Sequence, residues 1–374
     1  MKKQHVSVIL SIIFLLVLVV PAAAARPDNE HHGSNGAVYI MTNDSSGNSV
    51  LVYSRSAGGI LTWAGTFATN GLGGAGLTGS NQGGLVLSTD AKFLLLVNAG
   101  SNDISAFRVN HGGLSFTDKA GSGGTFPISV TIHDDVVYVL NAGGKDAAGN
   151  IAGFDLNDDG QLSPILGSIQ PLSGNTAPAQ ISFNPTGSVL VVTEKSTSLI
   201  DTYTVDSDGV ATGPTTHPSN GATPFGFDFD NKGSLIISEA HGGPSGTSAV
   251  SSYTLSNTGD LSTLSGSIPT TQGAACWLVV TGNSRYAYTA NTPSGTISSY
   301  TIASHGEITL LQPVAANTGA GNIDLALTRN GGFLYNFINA SHTIEGFKVH
   351  SDGSLTLVDT VTGVPAGADG LAAN

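Results

Sequence analysis

Seven polar residues recur at one place in a repeating pattern: Asn43, Asn98, Asn141, Glu194, Glu239, Asn291 and Asn339, each just after a short apolar run. Two of them, Glu194 and Glu239, are carboxylates in an otherwise all-amide series. A carboxylate can act as a general base or as a hard ligand for a divalent cation, and an amide can donate to a developing oxyanion. His241 lies two residues beyond Glu239, in Glu239-Ala240-His241-Gly242-Gly243-Pro244, and adds an imidazole that titrates near neutrality. Glu194, Glu239 and His241 are therefore the candidate catalytic set. Asn98, Asn141, Asn291 and Asn339 are candidate substrate-binding amides. Phe225 and Trp277, in the loops Pro224-Phe225 and Cys276-Trp277, would supply the apolar wall of a small-molecule pocket. A plainer reading fits the same residues: each Asn bonds its own backbone at a turn, and the glutamates are tolerated variants.

Whatever these side chains do, a repeated unit must position them. One copy is Arg285 to Leu311, in which period-two apolar runs alternate with Gly, Ser and Pro turns, the mark of antiparallel strands. An aromatic ends the second run of each copy, at Tyr53, Phe107, Phe154, Tyr203, Tyr253, Tyr300 and Phe347. The spacing, between 47 and 54 residues, with four short strands per unit, is that of propeller blades. The predicted fold is all-β: a seven-bladed β-propeller of four-stranded antiparallel blades. Labelling strands A to D outwards, the A strands are predicted at 84–87, 128–132, 180–183, 225–229, 277–280, 323–327 and 370–373. The first blade has no A strand before it and the last residues, GADGLAAN, have nothing after them. The C-terminal strand is thus predicted to complete the N-terminal blade and close the ring. In such a ring the B-to-C and D-to-A loops share one face, so the polar series would surround the mouth of the central channel.

With 374 residues, 50 Gly and 10% charged residues, the chain suits tight hairpins rather than long exposed helices. A net charge of −13 without a basic stripe disfavours nucleic acid and anionic lipid as partners. Cys276 is the single cysteine, so no internal disulfide is expected, and it reads as a small buried hydrophobe. Residues 1–25 read as a signal peptide: Lys2 and Lys3, an apolar run from Val6 to Val20, then Pro21 and Ala22 to Ala25. Residues 26–35 read as a disordered leader and 36–374 as the propeller. The expectation is a secreted protein, free of the membrane after cleavage and monomeric.

Other signals are weaker. Asp155-Leu156-Asn157-Asp158-Asp159-Gly160 opens like a calcium loop, but the twelfth position is Leu166 where a bidentate Glu is needed, so it reads as a hairpin turn. Nucleophile elbows, paired-cysteine motifs, zinc-protease motifs and Walker loops are all missing from the sequence. Gly71 to Gly84 is glycine-rich, but no helix pattern follows it, so it does not read as a phosphate cradle.

Three stretches resemble a known family, the seven-bladed β-propeller lactonases that include 6-phosphogluconolactonases and 3-carboxy-muconate cyclases. They are Thr186-Gly187-Ser188-Val189-Leu190, Arg285 to Asn291, and Gly295 to Tyr300; Pro224-Phe225-Gly226-Phe227 with Ser238-Glu239-Ala240 is similar to secreted members. The resemblance covers residues 36–374 and implies a lactone-opening hydrolase acting at the channel mouth. Family members carry Arg and His in D-to-A loops of the form P-R-H, and use His, Arg and Glu. Here the loops read Ala177-Pro178-Ala179-Gln180 and Thr223-Pro224-Phe225, so only the glutamates carry over, to Glu194 and Glu239. Lys145 and Lys195 are the cations near that face. No cofactor is called for, although Glu194 and Glu239 could hold a divalent cation. The alternative function is a non-catalytic extracellular propeller that binds a ligand or protein on the same face.

Overall fold

The computed structural model describes residues 36–243 and 246–374, together with Met1. The rest of the expected leader, residues 2–35, lies outside the described residues. Among the described residues there are seven antiparallel sheets and no helix long and apolar enough to cross a membrane. Six sheets are plain four-stranded blades in A–B–C–D order. In the third blade the outer strand is broken into Leu162–Pro164 and Gln170–Pro171, both paired with the C strand Asn150–Leu156.

Closure follows the sequence expectation. Asp369–Ala373 is the A strand of the first blade and pairs with Gly36–Met41 (Val38 opposite Ala373, Ile40 opposite Leu371). Arg55 on the C strand of that blade donates to the Asn374 carbonyl from Nε at 3.1 Å.

The alternating pattern sends one apolar row of each strand towards each neighbouring blade, where it is buried at or near 0% exposure. Tyrosines within these rows stitch blade to blade. On B strands, the Tyr138, Tyr288 and Tyr335 hydroxyls donate to the carbonyls of Gly209, Gly353 and Gly59, each in the C-to-D turn of the next blade (2.7, 3.0 and 2.8 Å). On C strands, Tyr203 and Tyr300 donate backwards to Pro171 and Ile268 of the preceding blade. These turns need glycine twice over. Gly353 has φ +83°, and a Cβ there would lie 2.6 Å from the Tyr286 ring.

The innermost strands pair with another strand on one edge only, and polar side chains from other blades cap the free backbone groups on the other edge. Phe227 N donates to Gln180 Oε1 (2.8 Å), Val280 N to Asp228 Oδ2 (2.8 Å), Leu371 N to Asp324 Oδ2 (2.8 Å) and Leu278 N to Gln82 Oε1 (2.9 Å). A backbone donor buried without a partner costs as much as a lost hydrogen bond, so these side chains tie neighbouring and distant blades together at the axis.

Deleting residues 366–374 removes the closing strand and should leave the first blade with an exposed edge. The expected result is an insoluble protein, or a soluble one whose melting temperature drops sharply. Tyr335→Phe should cost about 1 kcal/mol in urea unfolding with an unchanged m-value, because it removes one buried bond without opening a cavity.

Candidate functional site

The slot that ends each B strand holds Asn98, Asn141, Glu194, Glu239 and Asn291 in blades two to six. In the first and last blades that slot is filled by Met41 and Ile338, and Asn43 and Asn339 belong to the following loops. The expected alignment therefore slips there, because an apolar residue can end the strand when nothing polar has to be held.

Each polar residue of this slot turns into its blade rather than towards an open channel. Asn98, Asn141, Glu194, Glu239 and Asn291 are all 0% exposed. Asn98 Oδ1 accepts from Asn48 and Thr69, and its amide donates to Asp103 and Ser105. Asn141 donates to the Ser122 carbonyl, and Asn291 to Thr296 and Ser298. Glu194 Oε2 accepts the hydroxyls of Ser173 (2.5 Å) and Thr197 (3.0 Å). Glu239 Oε1 accepts Gly221 N (2.8 Å) and the Ser251 hydroxyl, and Oε2 accepts Ser267 (2.7 Å). For most of them the partners include the D-to-A loop that leads into the same blade. The expected ring of functional groups around the mouth is thus a set of loop clamps. The cause is the pleat: the last residue of a B strand faces its neighbour across the blade, not the axis.

One pair keeps a chemical character. His241, in a left-handed conformation (φ +48°), brings Nε2 to 3.8 Å from Glu239 Oε2, with 29% of the imidazole side chain exposed. A fully buried carboxylate thus stands behind a partly exposed ring.

The mouth on this face is filled by the chain itself. The D-to-A segment Gly71 to Gly84 crosses the axis and is held from several blades. Gln82 makes paired bonds to Leu278, 196 residues away (2.7 and 2.9 Å). Trp277 Nε1 donates to the Asn81 carbonyl (2.9 Å), Asp369 Oδ1 accepts Gly79 N (3.3 Å), Asn43 donates to Gly74 and Thr78, and Lys195 Nζ donates to the Ser80 carbonyl. Phe225 and Trp277 do come together, ring centroids 4.9 Å apart, but at 4% and 1% exposure they lie under this plug. Gly226, in the A strand Pro224–Phe229, leaves room for the plug: a Cβ there would lie 1.9 Å from Gln82 Oε1. Asn339 sits on the rim and only its backbone is engaged, with N donating to the Gly321 carbonyl.

Beyond the plug the axis opens into a cavity of about 490 Å³ that runs to the A-to-B turns on the opposite face. Gln82 and Gln180 form its floor, Asp228 and Asp324 stand on its wall, and Thr89 and Arg329 mark its mouth. A second cavity of about 410 Å³ shares Thr89, Asp228, Val280 and Gly282 with it. Burial pushes the Asp228 carboxyl up to about 6, opposed by the amides of Val280 and Phe229. Asp324 is pushed well above the usual carboxylate range, by burial first and by the nearby Asp369 second. Asp369 itself is raised to about 7 by burial. Neither Asp228 nor Asp324 stood out in the sequence, because a lone Asp in an apolar strand has no motif around it. Among the described residues no group of three or more His, Cys, Asp or Glu is placed to hold a metal ion.

Seven radial blades around a plugged axis, with carboxyls in the remaining cavity, define a class, and the comparisons agree with it. A model of the seven-bladed β-propeller lactonase family matches residues 30–171 and 239–324, and the chain belongs to that family. No curated protein matches the sequence. Among solved structures the fold is similar to a candidate 6-phosphogluconolactonase from Bacteroides fragilis, at 16% identity and a TM-score of 0.69, covering 93% of this chain and 100% of that one. A candidate 6-phosphogluconolactonase from Bacteroides uniformis follows at 17% identity and 0.69, covering 89% and 99%. The periplasmic gluconolactonase of Pseudomonas aeruginosa gives 14% identity and 0.69, covering 89% and 98%.

The buried acids set the pH response. Asp201, raised to about 7 by burial and by Glu194, and Glu345, raised to about 7 by burial, join Asp228, Asp324 and Asp369. All five hold protons more tightly folded than unfolded, and for Asp201, Asp228, Glu345 and Asp369 that contribution is complete below about pH 4 and is lost as pH rises through about 6 to 7. The melting temperature should fall between pH 5 and pH 8. Asp369→Asn should flatten that slope and recover on the order of 2 kcal/mol at pH 8.

Proposed function

We propose that the protein opens small neutral lactones in the axial cavity, with substrate entering from the A-to-B turn face. The observation that carries this is the presence of two carboxyls, Asp228 and Asp324, on the wall of one ligand-sized cavity, in a lactonase-family fold. Asp228, at about 6, is ionised at neutral pH yet still basic enough to take a proton from water. Asp324, raised well above the usual carboxylate range by burial and by the nearby Asp369, is assigned the role of proton donor. The water oxygen bonds to the lactone carbonyl carbon as Asp228 takes its proton. The ring C–O bond then breaks, and the departing ring oxygen receives the proton of Asp324. Arg329 is the single basic residue on the cavity lining, and acids line the wall, so an uncharged sugar lactone suits it better than a phosphorylated one. The gluconolactone named for the Pseudomonas relative is of that kind. Export is part of the same proposal, supported by the basic, apolar and alanine-rich order of residues 1–25.

A second reading rests on the 3.8 Å pairing of Glu239 with His241 on the loop face. There the carboxylate would orient the imidazole as the base.

The two separate in one assay of the purified protein against a lactone panel, with and without chelator. Asp228→Asn should lower kcat about 100-fold or more while the protein still melts cooperatively. His241→Ala and the Glu194→Gln/Glu239→Gln double variant should retain turnover. The reverse pattern would move the chemistry to the loop face. Wild-type protein inert towards every lactone would make this a binding propeller.

A further inference from the structure

Beside the mouth of the axial cavity, on the face of the A-to-B turns, lies a wider cavity of about 820 Å³ that the reaction above leaves unused. The two share Ser88, Thr89 and Arg329. Its walls come from the A-to-B turns of the second and third blades and from Leu156, Asn157 and Asp158 at the C-to-D turn of the third. The charge of the two linings differs. Arg329 is the one cation of the axial lining, whereas the wider cavity adds Lys92 and Arg108. Lys92 is held 2.8 Å from Asp90, with its side chain 69% exposed. The Arg108 guanidinium lies 4.9 Å over the Phe93 ring and donates to the Asp158 carbonyl, which fixes it to the wall without neutralising it. Among the described residues neither Arg108 nor Arg329 forms an ion pair with a carboxylate. Asp134, Asp135 and Asn157 are exposed on the same lining and offer oxygens that accept from hydroxyls. Unpaired guanidinium groups beside hydroxyl acceptors, in a space of ligand size, suit a polyhydroxylated carboxylate.

We infer that this wider cavity binds the ring-opened sugar acid that the axial cavity releases. The inference rests on the lactone reading above for the existence of that product. Water adds to a neutral lactone and gives a hydroxy acid, whose carboxyl loses its proton at neutral pH. The new carboxylate stands against the ionised Asp228 and is repelled there. Arg329, at the shared rim, offers it a planar fork with two donors, and Arg108 and Lys92 lie beyond. An uncharged lactone feels no such attraction, so the cavity separates product from substrate by charge.

The test is calorimetric titration of the full chain with sodium gluconate at pH 7.5 and low ionic strength. Glucose is the uncharged control, and lactone hydrolysis is followed on the same preparation. Gluconate should bind, glucose about tenfold more weakly, and added salt should weaken gluconate alone. Lys92→Gln and Arg329→Gln should each weaken gluconate about tenfold and melt like wild type, because both side chains are exposed. Lys92 lines the wider cavity and not the axial one. A loss in Arg329→Gln with none in Lys92→Gln therefore places the anion in the axial cavity and overturns the inference. Equal binding of glucose, or no binding of gluconate, overturns it even where hydrolysis is present. Gluconate binding that depends on Lys92, in a protein without hydrolysis, keeps the site and instead removes the enzymatic reading.

Discussion

The constraint on which this molecule turns is the free edge of its innermost strands. Each blade pairs its A strand with its own B strand and leaves the other edge facing the axis, where a row of amides must be satisfied away from bulk water. Side chains do this, reaching from one blade to another: Gln180 to Phe227, Asp228 to Val280, Asp324 to Leu371, and Gln82 across the ring to Leu278. Hydrogen-bonding capacity chooses the polar residues among the apolar ones that line the axis.

That choice has an electrostatic price. A carboxylate accepts two amides well, and Asp228 and Asp324 each do so, but burial without a cation raises their proton affinity. The carboxyls that cap the strands are thereby the ones with raised proton affinity, and the cavity beside them is what the plug leaves open.

Much of the architecture was legible in the sequence because it is local and repeated. The aromatic marks from Tyr53 to Phe347, the glycine turns and the unmatched ends at Gly36 and Ala373 are short-range signals, and they fix blade number, strand order and closure. The site was less legible. The series from Asn98 to Asn291 was visible, yet whether a side chain at a strand end faces axis or neighbour depends on pleat and twist, which residue type does not encode. Asn43 and Asn339 were counted with the series although the register slips by about one residue in those two copies, and there Met41 and Ile338 hold the strand ends. The glycine-rich run Gly71 to Gly84 has meaning only through partners far along the chain, Leu278 and Asp369 among them. Nothing near it in sequence shows that it bars the axis.

Closure by Asp369–Ala373 bears on how the protein is made. The strand that completes the first sheet is made after every other strand of the ring, so the N-terminal sheet waits, three strands wide, while the other six blades are made. Its open flank is an apolar template for other chains during that interval, and the final joining spans nearly the full length of the polypeptide, a slow contact to form. A protein built this way gains most from being held unfolded until its closing strand is free to join the first sheet.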